Sequence, residues 1–105
     1  MPKARDILRM VSATSMKVGS DDRGAIFKSL IEEVGELATE IAIEDGTKNR
    51  EASPDGVVGE AIDVLVVIID MIHNEIGENI HGQAFLDRVQ SKLNKWEAHK
   101  EKHSD

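Results

Sequence analysis

The stretch from residue 57 to 76 constrains this chain more than any other. Val57, Val58, Ala61, Ile62, the run Val64-Leu65-Val66-Val67-Ile68-Ile69, Met71, Ile72 and Ile76 leave it almost no wet side. Its β-branched centre would suit a buried strand. Length decides for a helix: the apolar pattern continues for about five turns at a helical rise, and no second strand candidate exists to pair with it. A helix apolar nearly all round must be covered on all sides. The other helices of so short a chain do not suffice, and a further copy, most often in a twofold dimer, is the simple remedy.

Two carboxylates open this apolar helix. Glu60 and Asp63 lie three residues apart in Gly59-Glu60-Ala61-Ile62-Asp63-Val64. A second pair, Glu33 and Glu36, lies in Ile31-Glu32-Glu33-Val34-Gly35-Glu36-Leu37. On a helix that spacing puts both groups of a pair on one face, one turn apart. One Glu-x-x-Glu pair is ordinary decoration of a solvated helix. Two pairs set among residues that should be buried are not, because facing carboxylates repel and their pKa values rise unless a cation neutralises them. Magnesium takes oxygen ligands and keeps several waters, so a site built by two helices is expected, with Glu33, Glu36, Glu60 and Asp63 as ligands. Manganese could take its place. Glu32, one residue off that face, reaches the rim, where it could orient or deprotonate a water or bind an additional ion. Asp70, two turns beyond Asp63, extends the acidic face or meets a polar group on a partner chain, without an expected part in the site.

The remaining segments read as helices around this pair. Residues 3–16 carry a partial apolar face of Ile7, Leu8 and Val11, and Lys17 to Asp22 connect, with Asp21 or Asp22 as a helix cap. Residues 23–45 form a long amphipathic helix through Ile26, Phe27, Leu30, Ile31, Val34, Leu37, Ala38, Ile41 and Ala42. Gly35 marks either a close approach or a tolerated helix glycine. Residues 46–56 are polar and turn-rich and read as an exposed, mobile loop. Gly77 stops the apolar helix. In the last helix, 83–101, Ala84, Phe85, Leu86, Val89, Leu93 and Trp96 are expected to face inward, with a disordered tail from Lys102. The sum is an all-α, four-helix bundle in one domain, 1–105, that oligomerises as a homodimer or homotetramer.

Composition excludes several functions. The net charge of −7 argues against gripping a nucleic-acid polymer. It leaves small phosphorylated ligands open, since a divalent metal inverts the local field. With no cysteine there is no disulfide, zinc-thiolate site or thiol nucleophile. The N-terminus opens no long apolar run, and Val64 to Ile69 falls far short of the roughly 20 residues of a membrane span. A cytoplasmic protein without a membrane partner is expected.

Glu32-Glu33-Val34-Gly35-Glu36-Leu37-Ala38 followed by Glu60-Ala61-Ile62-Asp63-Val64-Leu65 resembles the EExxE…ExxD signature of the MazG-like, all-α nucleoside triphosphate pyrophosphohydrolases. Both halves occur in order, Glu60 stands 24 positions after Glu36, and the motif core spans residues 32 to 65. The helix order and the basic last helix extend the likeness to most of the chain. The resemblance implies magnesium-dependent cleavage of a (d)NTP between its α- and β-phosphates, giving a nucleoside monophosphate and pyrophosphate. Glu33, Glu36, Glu60 and Asp63 match the family's metal ligands, and Glu32 its additional acid. Lys92 and Lys95 of the last helix, or Lys28 one turn before Glu32, are the candidates for holding phosphates.

Two departures bear on the substrate. Val66, Val67 and Ile68 stand where the phosphoribosyl-ATP pyrophosphohydrolase branch often carries a histidine, which makes that activity the alternative. Many nucleotide-binding members place an aromatic there. Its absence leaves base stacking to Phe27, Trp96 or a loop, although Trp96 also suits a core position. His73, His81, His99 and His103 have no spacing of a triad or zinc site, and His73 reads as a packing or interface residue. A non-catalytic helical nucleotide sensor or scaffold is the rival from outside enzymology.

Overall fold

The computed structural model describes residues 1–48 and 51–102, and all regular structure among them is helical. A 3₁₀ turn at Ala4–Asp6 leads into α1 (Ile7–Val18), followed by α2 (Arg23–Glu44) and α3 (Gly56–Ile76). A second 3₁₀ turn, Gly77–His81, precedes α4 (Gln83–Lys102). The last three helices match the expected ranges to within a residue. The first is shifted: Asp6 accepts a hydrogen bond from the Lys3 N–H at 2.9 Å, which holds the opening turn tight, and the helix then runs on to Val18. Parts of two expectations, the mobile loop at Asn49 and Arg50 and the disordered tail at 103–105, lie outside the described residues.

The helix ends follow from local chemistry. Of the two candidate caps, Asp22 is the one used: its Oδ1 accepts from the N–H groups of Gly24 and Ala25, satisfying donors that the first turn leaves free. Gly46 and Gly77, at φ +77° and +59°, end α2 and α3 in a conformation that strains any L side chain.

α2 and α3 pack antiparallel. Arg23 makes a two-pronged ion pair with Glu75, both contacts at 2.8 Å, at one end of the pair. At the other, Glu44 accepts the Val57 N–H at 2.9 Å. α1 packs on α3 and not along α2, so the two flanking helices straddle α3. Ile26 and Ile69 are buried among them, and Ile80 anchors the second 3₁₀ turn.

α4 does not close over this trio. Among the described residues its close backbone contacts are with the turn at residues 77–81, which redirects the chain away from α2 and α3, and its start borders a groove shared with Arg5, Leu8 and Arg9. Leu86, Val89, Leu93 and Trp96 are therefore exposed in the single chain, Trp96 at 70%. The expectation of an inward-facing stripe fails there, and only Phe85 is half-buried. Phe27, Ile31, Val34 and Ile41 on α2, and Val58, Ile62, Leu65 and Ile68 on α3, are also exposed. The radius of gyration, 16.4 Å, exceeds the about 13 Å of a compact chain of this length. No described helix is long and apolar enough to cross a membrane.

Candidate metal centre

Antiparallel packing of α2 on α3 converts two sequence pairs into one group. Glu33, Glu36, Glu60 and Asp63 each present a carboxylate oxygen, and the four oxygens lie within 4.8 Å of one another. Glu33 and Glu60 form a half-buried floor, while Glu36 and Asp63 are exposed at the rim. Gly59 precedes Glu60 where a Cβ would come within 2.3 Å of the Asp55 Cβ, so glycine lets Asp55 fold against the first turn of α3.

The electrostatics of this arrangement are those of a site short of positive charge. Burial is the largest influence raising the Glu33 carboxyl above its usual value, followed by the charges of Glu36, Asp63 and Glu60. Glu60 is raised likewise, first by burial, then by Glu36, Asp63, Glu40 and Asp55. One oxygen of each, Glu33 Oε2 and Glu60 Oε2, is buried without a hydrogen-bond partner among the described residues. Buried polar atoms are ordinarily satisfied, and acceptor-only oxygens converging from two helices are what a hard divalent cation binds. The residues present therefore fit a metal ion. Glu36 and Asp63 are open to solvent.

The other expected participants are not gathered here. Glu32 is exposed and stands outside the group of four. Lys28 is exposed and lies about 140° round α2 from Glu33, on a different face. Lys92 and Lys95 belong to α4, which does not touch α2 or α3, so the single chain does not bring them to the carboxylates. Phe27 and Trp96, the stacking candidates, are both exposed, Phe27 on the outer side of α2 and Trp96 beside Leu93, Glu97 and Lys100 on α4. Space surrounds Gly35, so within the chain it serves no close approach.

Glu40 is the residue that sequence reasoning missed. It is 3% exposed, and both its oxygens accept from the Ser53 N–H, at 3.0 and 3.2 Å. The signal was present: Glu33, Glu36, Glu40 and Glu44 follow the spacing of one helix face. The first two enter the centre, while the last two tie down the chain entering α3. Asp70 stands outside the group of four and accepts a hydrogen bond from the Ser15 hydroxyl of α1. His73 and His81 gather at Glu78, with nitrogen–oxygen distances of 3.9 and 3.3 Å, away from the acids.

None of the family models, curated proteins or solved structures compared with this chain matches it.

Proposed function

We propose that the chain is a MazG-like, magnesium-dependent nucleoside triphosphate pyrophosphohydrolase, cleaving a (d)NTP between the α- and β-phosphates. The observation that carries this reading is the meeting of both motif halves at one point. Four carboxylates from two helices converge within 4.8 Å, with two of their oxygens buried and unpartnered. A magnesium ion, when bound, supplies charge against phosphate oxygens and lowers the pKa of a water. Glu33, Glu36, Glu60 and Asp63 would hold it, each through a carboxylate oxygen. Glu32 at the rim orients the attacking water and accepts its proton. Water adds at phosphorus, the bridging oxygen leaves with pyrophosphate, and a nucleoside monophosphate remains.

The proposed protein is a cytoplasmic homo-oligomer. The exposed apolar faces of α2, α3 and α4 support association, since contiguous exposed apolar surface marks an interface. Association also supplies what the single chain lacks at its centre: Lys92 and Lys95 of a neighbouring copy can face phosphates that those of the same chain do not reach.

The test is pyrophosphate release from a panel of NTPs, dNTPs and phosphoribosyl-ATP, with and without magnesium. Magnesium-dependent release from (d)NTPs is expected, and Asp63→Asn or Glu36→Gln should lower turnover at least a hundredfold with the helical circular-dichroism spectrum unchanged. Full activity in either variant contradicts the assignment. Turnover of phosphoribosyl-ATP alone would identify that hydrolase instead. Stabilisation by one nucleotide without turnover would identify a sensor.

A further inference from the structure

Between α1 and α2, over α3, lies a cavity of about 540 Å³, within the range that takes a small organic ligand. Met10, Val11, Val18, Ile26, Val66 and Val67 make its walls largely apolar. It adjoins the metal centre on both helices: Ser29 in its lining is one turn before Glu33, and Val67 is one turn after Asp63. Asp70, also in the lining, stands two turns beyond Asp63, about 10 Å along α3. That is comparable to the reach of a nucleotide from its α-phosphate to the far edge of its base.

The Asp70 carboxylate is held in place. The Ser15 hydroxyl donates to its Oδ1. Gly19 lies against the same pair, where a Cβ would stand 2.9 Å from Oδ1 and 2.6 Å from the Ser15 carbonyl oxygen. Any side chain at residue 19 would crowd the carboxylate out of its position. Ser15 is the only hydrogen-bond partner of Asp70 among the described residues, so acceptor capacity is left over.

We propose, resting on the pyrophosphohydrolase reading, that Asp70 determines base specificity by accepting a hydrogen bond from an exocyclic amino group. With phosphates at the carboxylate centre, the nucleoside extends along α3 into the apolar cavity and meets Asp70 at its far edge. An ionised carboxylate only accepts. The amino group of cytosine donates to it, whereas uracil presents a carbonyl oxygen at the same edge. Acceptor then faces acceptor in a partly buried place, and neither group is satisfied. The same contrast separates adenine from hypoxanthine. The substrate class is thus nucleotides whose base carries an amino group, in preference to their oxo counterparts.

The test is kcat/KM with magnesium for two matched pairs, dCTP against dUTP and ATP against ITP. In whichever pair is hydrolysed, the amino-bearing member is expected to be preferred about tenfold or more. Asp70→Asn, whose amide both donates and accepts, should bring the ratio near one. A merely structural role would lower both members alike and leave the ratio standing. Should the Asn variant fail to fold by circular dichroism, Asp70→Glu serves, since the added methylene displaces the carboxylate and shrinks the preference. Equal efficiencies in the wild type, or a preference unchanged in the folded variant, overturns the role of Asp70 and leaves the pyrophosphohydrolase reading intact. No turnover of these four or of any other NTP or dNTP overturns both.

Discussion

Glu33 and Glu60 define the physics of the centre, because each is pressed into a place where its charge is unwelcome. A carboxyl whose pKa is raised by folding binds its proton more tightly in the native state than in the unfolded chain. Its stabilising effect is complete below the unfolded value, near 4.5, and is lost as pH rises through the raised native value. The melting temperature of the metal-free protein, compared with Glu33→Gln across that window, should show this: the wild type loses stability relative to the variant as pH rises. Magnesium should reduce the difference. A constant difference between the two proteins at all pH values would contradict the account. The four carboxylates were legible in the sequence because charge at helical spacing inside apolar segments has few explanations. Glu40 was not, because its partner is the backbone N–H of Ser53, and a backbone donor leaves no mark in the residue types.

At the scale of the elements, α2 does two things with one acidic face. Its middle contributes Glu33 and Glu36 to the centre, and its C-terminal end uses Glu40 and Glu44 to fix residues 53 to 57. The entry into α3, and with it the placing of Glu60, depends on those two contacts. Glu40→Ala would leave the half-buried Ser53 N–H without its partner, at a cost of about 1 kcal/mol. Urea denaturation should register it as a lowered midpoint with an unchanged slope, and an unchanged midpoint would remove Glu40 from this role. The helices themselves were readable from periodicity and from Asp22, Gly46 and Gly77. The direction of α4 was not. An apolar stripe like that of Leu86, Val89, Leu93 and Trp96 suits a covered helix, and says nothing of whether its own chain or another would do the covering.

At the scale of the molecule, the chain is a helix pair with a flanking helix and one outlying helix, and its apolar surface is not closed. Residues 57–76 demanded cover on all sides, and α1 and α2 leave Val58, Ile62, Leu65 and Ile68 exposed. Light scattering should therefore give a mass that is a multiple of the 11.6 kDa chain. The double variant Ile31→Glu/Leu65→Glu should shift it toward the single-chain value. A wild-type protein that runs as a stable single chain would contradict the oligomer and the supply of Lys92 and Lys95 from a neighbour.

The central claim is that the two motif halves form one cation site. The most direct measurement is a manganese titration followed by electron paramagnetic resonance, with magnesium as competitor. Saturable binding to every chain is expected, displaced by magnesium, and weakened at least tenfold in Glu36→Gln and Asp63→Asn alike, since the two residues would hold the same ion from different helices. Manganese that stays free, or that binds both variants as tightly as the wild type, would contradict it.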